Sequence, residues 1–128
     1  MKPELTLLVW SVLLAFVQML VAVQGAMGQV GLMPLFGNRE GMPEIKGWGG
    51  RAVRAHRNML ESLLLFAALV LVLAVTGKSN SMTVLGAQLF FWGRVAYAAI
   101  YVAGIAYLRT AAWAMSIIGL VLIFLQLV

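Results

Sequence analysis

Four apolar runs, each long enough to cross a bilayer and separated by shorter polar stretches, leave this chain of 128 residues few ways to fold. A helix crossing a hydrocarbon core about 30 Å thick needs roughly 20 apolar residues, and the runs at about 5–24, 51–76, 82–108 and 111–127 reach that length. In hydrocarbon a span must satisfy its own backbone hydrogen bonds, so open segments of this kind are helices. Composition closes off the soluble alternative: 63% of residues are apolar, 10% are charged and the mean hydropathy is +1.00, values no soluble domain of this size carries. The expected fold is therefore all-α, an integral membrane four-helix bundle making up one domain over residues 1–128.

The connections are read from their breakers. Residues 25–50 are rich in Gly and contain Pro34 and Pro43, with Arg39, Glu40, Glu44 and Lys46 among them, which predicts a loop. Lys78-Ser79-Asn80-Ser81 is a tight polar turn and predicts antiparallel neighbours on either side. The first run is too long for the apolar core of a signal peptide and is read as a span.

No Cys and one His exclude a disulfide framework and thiol catalysis by the chain itself, and no metal centre is expected. Any thiol must arrive on a substrate. Nine Lys/Arg against four Asp/Glu give a net charge of +5, but the positive residues are scattered at span ends and form no nucleic-acid-binding patch. Their asymmetry orients the chain instead. Arg39, Lys46, Arg51, Arg54, Arg57 and Arg109 fall on one side and only Lys2 and Lys78 on the other, so both termini are expected outside and the first and third loops in the cytoplasm.

One polar stripe interrupts this pattern at the mouth of the second span. At about 100° per residue, Arg51, Arg54, Asn58 and Glu61 share an arc of roughly 80°, with Arg57 at its edge and His56 pointing away. On the third span Arg94, Tyr97 and Tyr101 share an arc of roughly 60°, and Arg109 follows at its cytoplasmic end. Ionisable groups in a span are costly and mark function by default. The plain alternative is interhelical glue, in its simplest form a Glu61 to Arg94 ion pair; Trp10, Trp48, Trp92 and Trp113 are read as belt or packing residues. As a ligand inventory the set offers Arg forks for carboxylates, a Glu for an ammonium, an Asn for peptide groups and Tyr rings for packing. A small zwitterionic peptide with two carboxylates matches it, and glutathione is the common cytosolic example.

Arg51-Ala52-Val53-Arg54-Ala55-His56-Arg57-Asn58-Met59-Leu60-Glu61, running into Phe66, resembles the second-helix signature of the membrane-associated proteins in eicosanoid and glutathione metabolism, the MAPEG family. Gly93-Arg94-Val95-Ala96-Tyr97, with Tyr101 and then Tyr107-Leu108-Arg109-Thr110, resembles its third helix, and the likeness to a bacterial-type member covers the whole chain. The resemblance implies a homotrimer of four-helix bundles in the inner membrane, with glutathione between subunits on the cytosolic side. It implies that Arg51, Arg54, Asn58 and Glu61 bind glutathione from one subunit, that Arg94, Tyr97 and Tyr101 contact it from the third helix, and that Arg109, with the Tyr101 hydroxyl, is catalytic. The chain lacks the basic residue some members carry on the cytoplasmic end of the first helix, and Arg39 is its nearest substitute.

The activity implied is that of a glutathione-dependent transferase or peroxidase acting on a lipophilic small molecule that enters from the membrane lipids. A thiol with an ordinary pKa near 8.5 is activated as its thiolate, which a desolvated guanidinium favours. The alternative is a non-catalytic lipid-binding scaffold or an accessory subunit of a larger membrane complex, because fold membership does not establish catalysis. A small transporter is a weaker reading, since no inverted repeat or paired broken helices are seen.

Overall fold

A computed structural model describes residues 2–30 and 46–128. Four helices follow one another: α1 (Pro3–Val30), α2 (Gly47–Thr76), α3 (Ser81–Ala103) and α4 (Ala106–Leu127). All four are long and apolar enough to cross a membrane. The chain is an integral membrane helical bundle, as its apolar runs require. Arg39 and the centre of the first loop lie outside the described residues.

The boundaries around the first and third connections differ from the sequence-based expectation. The first helix passes through Gly25 and Gly28 to Val30 instead of stopping near residue 24. Those glycines permit close packing and do not end the helix: a Cβ at Gly25 would lie 2.6 Å from the Gly49 Cα of α2. The same end is clipped by the Gln29 side chain, whose Oε1 accepts from the Lys46 amide at 2.7 Å while its Nε2 donates to the Lys46 carbonyl. The third helix ends at Ala103, short of residue 108, because Gly104 adopts φ +85° and donates its N–H back to the carbonyls of Ile100 and Tyr101. Left-handed backbone favours glycine, which has no Cβ to clash. Tyr107, Leu108 and Arg109 consequently start α4.

The opposite end is held by polar contacts. Gly77, at φ +67°, caps α2, and Asn80 starts α3 by accepting from the amides of Met82 and Thr83 at 2.9 and 3.0 Å. Glu4, buried at the start of α1, accepts from the Ser79 and Thr83 hydroxyls at 2.5 and 2.7 Å. Lys78 Nζ donates to the Leu127 carbonyl at 3.2 Å, and Asn80 Nδ2 to Gln126 Oε1 at 2.9 Å. The start of α1 and the end of α4 thus meet at the turn that joins α2 to α3.

Between these ends an apolar core includes Leu7, Met59, Phe66, Val70, Phe90 and Ile123, and the Phe66 and Phe90 rings stack with centroids 4.1 Å apart. The α3 and α4 backbones nearly touch: a Cβ at Gly86 would lie 2.6 Å from the Gly119 carbonyl oxygen, and one at Gly93 2.9 Å from the Ser116 amide. Such small-residue contacts are how membrane helices gain packing energy where the surrounding lipid is itself apolar. They also set the spacing of the arginine and tyrosine faces one turn further on.

Candidate functional site

The arginine end holds a second, smaller cluster of Ala55, Tyr97 and Ala112, flanked by Ile100 and Tyr101. The small side chains of Ala55 on α2 and Ala112 on α4 let these helices pack against the tyrosine face of α3. Tyr97 and Tyr101 lie one turn apart with ring centroids 5.4 Å from each other.

Arginines from three helices converge on these rings. Arg54 of α2 donates Nε–H to Tyr101 Oη at 3.2 Å. Arg109 of α4 sets its guanidinium carbon 4.7 Å from the Tyr101 ring centroid, and Arg94 of α3 sets its own 4.2 Å from that of Tyr97. Guanidiniums over phenol faces are favourable contacts, worth about 0.5–2 kcal/mol according to how well they are desolvated. Since Tyr101 Oη accepts from Arg54, its own proton stays free for donation to a third group.

A cavity of about 310 Å³ opens beside this cluster, lined by Asn58, Tyr97, Arg109, Thr110 and Trp113. Asn58 Oδ1 is buried without a hydrogen-bond partner, and so are all three nitrogens of Arg94. Buried polar atoms are nearly always paired, so each orphan asks for an explanation. With Arg94 only 1% exposed, a fully buried cation without an acceptor is expensive. The Glu61 to Arg94 ion pair, the plain alternative from sequence, is not formed: no Arg94 nitrogen has a partner and Glu61 is exposed.

Of the residues singled out from sequence, Arg54, Asn58, Arg94, Tyr97, Tyr101 and Arg109 are brought together. Arg51 is near but otherwise engaged, donating Nε–H to the Val102 carbonyl at 2.9 Å. It thereby satisfies one of the carbonyls left unpaired at the end of α3. Glu61 and Arg57 stand on the exposed face of α2, away from the cavity. Thr110 and Trp113 were not anticipated as lining residues. Trp113 follows Arg109 by four residues and so shares its helix face, a relation that becomes visible once the break at Gly104 places both on α4.

The arrangement is an anion-favouring chamber, walled by guanidinium and phenol donors, with one amide acceptor and an indole. Among the described residues no group of His, Asp and Glu is placed to hold a metal ion. Comparison with curated proteins and with solved structures returned no significant match. The MAPEG family profile matches residues 6–128, essentially the whole chain, and the protein belongs to the MAPEG family.

Proposed function

We propose that the protein is a glutathione-dependent transferase or peroxidase acting on a lipophilic electrophile, with the arginine end facing the cytoplasm. The observation that carries this reading is the convergence of Arg54 and Arg109, from different helices, on the single phenol of Tyr101 beside a cavity whose lining includes Asn58, with its Oδ1 unpaired. Glutathione, when bound, supplies the thiol that the cysteine-free chain lacks. The residues present suit it. Guanidinium forks pair with carboxylates, and Asn58 Oδ1 can accept from a peptide N–H or an ammonium.

Arg109, in the cavity wall, favours an anion over its neutral acid by proximity of charge. Tyr101 Oη, with a lone pair committed to Arg54, presents its proton as a second donor. Trp113 and Tyr97 supply ring faces for an apolar reactant arriving from the bilayer. Arg94 is covered by Tyr97 and holds that ring in place.

We further propose that copies of the chain assemble, as the homotrimer implied by the family likeness, and that the site is completed at their contact. The support is α2, which exposes Arg54, Arg57 and Glu61 on one face together with Leu60, Leu64 and Leu65. Charges on a lipid-facing surface are costly, and a neighbouring copy's cavity would give Glu61 and Arg57 polar partners.

Calorimetry of glutathione binding to the detergent-purified protein, run beside turnover of 1-chloro-2,4-dinitrobenzene, tests the function. Saturable binding with turnover is expected. A folded sample that binds no glutathione would overturn the reading in favour of a lipid-binding scaffold.

A further inference from the structure

The turn between α3 and α4 carries Arg109 to the tyrosine face, and little of its own holds it there. Residues 103–108 are all exposed, so no buried side chain ties this stretch to the bundle. Ile105, which starts α4, makes no side-chain capping hydrogen bond. The glycine contacts between the α3 and α4 backbones end at Gly93, whose added Cβ would meet the Ala112 carbonyl oxygen at 3.1 Å. Arg109 lies almost one helical turn beyond Ala112, toward the exposed reversal.

Arg51 reaches this reversal from α2. Its Nε–H donates to the Val102 carbonyl at 2.9 Å, and its guanidinium lies alongside Gly104, where an added Cβ would come 3.4 Å from both Cζ and Nε. Gly104 and Ile105 direct their own amides to the carbonyls of Ile100 and Tyr101, which leaves the Val102 carbonyl to Arg51. Among the described residues this is the one side-chain hydrogen bond that reaches residues 102–108 from another helix. A guanidinium bond of this kind is charge-assisted and stronger than a neutral one. Arg51 is not among the residues lining the cavity beside Arg109. Arg54, one turn further along α2, holds the Tyr101 hydroxyl, so two successive turns of α2 pin the end of α3.

We propose that Arg51 is a positioning residue: by holding the Val102 carbonyl it fixes the turn between α3 and α4, and through that turn it sets Arg109 against Tyr101 without itself touching glutathione. This role rests on the glutathione-dependent reading above and differs from the ligand contact that the family likeness implies for Arg51. What the position requires is a donor at the place of Nε, not a positive charge. Glutamine offers one, because its Nε2 follows the same number of side-chain carbons as the arginine Nε, whereas methionine has a similar length and no donor.

Arg51→Met and Arg51→Gln, each in the full-length protein in detergent, separate the donor from the charge. Arg51→Met is expected to lower kcat for 1-chloro-2,4-dinitrobenzene about tenfold, the order of one charge-assisted hydrogen bond, and to change glutathione affinity by calorimetry less than about twofold. Amide hydrogen exchange over residues 102–108 should quicken about tenfold in the same variant, as the turn opens more often. Arg51→Gln should stay within about threefold of the unmodified protein in each measurement. An Arg51→Gln protein as impaired as Arg51→Met would overturn the role, because the charge and not the donor would then matter. So would a fall in glutathione affinity that matches the fall in turnover, which marks a direct ligand contact, or unchanged exchange in Arg51→Met. An unmodified protein that neither binds nor turns over glutathione refutes the proposed function, and with it any part for Arg51 in that reaction. The exchange comparison needs no glutathione and still shows whether Arg51 sets the turn.

Discussion

Tyr101 is served from two sides by cations that its own helix does not carry. Arg54 uses its hydroxyl oxygen and Arg109 its ring, so the phenol is fixed in direction and left with one proton to give. Removing Arg109 leaves Arg54 and Asn58 in place to hold a ligand but takes away the cation in the cavity wall. Arg109→Ala is therefore expected to lower turnover about a hundredfold, the scale of losing one preorganised charge-stabilising donor. Glutathione affinity should fall far less, and the ultraviolet thiolate absorbance expected of the unmodified protein on adding glutathione should not develop. A variant that retains that absorbance would move the thiolate-stabilising role to another residue.

At the scale of elements, the site depends on how closely α3 and α4 approach. Arg94, Tyr97 and Tyr101 come from one of these helices, Arg109 and Trp113 from the other, and only Gly104 and Ile105 connect them. Their spacing is set by Gly86 against Gly119 and by Gly93 against Ala112 and Ser116, where any added Cβ meets backbone. Backbone cannot move aside as a flexible side chain can, so Gly86→Ala forces the helices apart. A loss of about 1–3 kcal/mol is expected from overpacking, measured as a lower midpoint of thermal unfolding in detergent. Gly28→Ala is the matched control, because nothing lies within 4 Å of its added Cβ. A Gly86→Ala protein as stable as that control would show that the two helices pack with slack.

The whole molecule presents one face that a lone copy in lipid leaves badly placed. Along α2, Arg57 and Glu61 are exposed in register with Leu64, which is 72% exposed, and Val75, which is 87% exposed. Covering this face by another copy buries the leucines and gives the charges partners. Because the chain contains no Cys, Leu64→Cys introduces a single thiol at the centre of that surface. The contact of a trimer joins two different patches. Oxidative or bifunctional cross-linking in membranes holding Leu64→Cys and Thr110→Cys chains together, the second at the cavity, is therefore expected to give a dimer band, and Leu64→Cys with Phe124→Cys chains none. Absence of any cross-linked species from the Leu64→Cys and Thr110→Cys pair would leave α2 facing lipid and place the assembly contact elsewhere.

The number of helices, their membrane-spanning character and the polar stripe were legible in the sequence, because each depends on quantities local to the chain: run length, hydropathy and a 3.6-residue period. Helical period also placed Arg94, Tyr97 and Tyr101 on one face of α3, whereas of the four residues sharing the α2 arc only Arg54 and Asn58 reach the tyrosine cluster or its cavity, and Arg51 and Glu61 do not. The break at Gly104 was hidden, because an apolar glycine within Val102-Ala103-Gly104-Ile105-Ala106 looks the same whether it continues a helix or caps one. Gly25 misled in the opposite direction, reading as a breaker where it admits the backbone of α2. Tertiary structure alone decided that Arg51 caps α3, that Glu61 leaves Arg94 unpaired and that Trp113 joins the cavity. Each of those is a relation between helices, fixed by which backbones approach closely enough to touch, and helical periodicity within one segment carries no record of it.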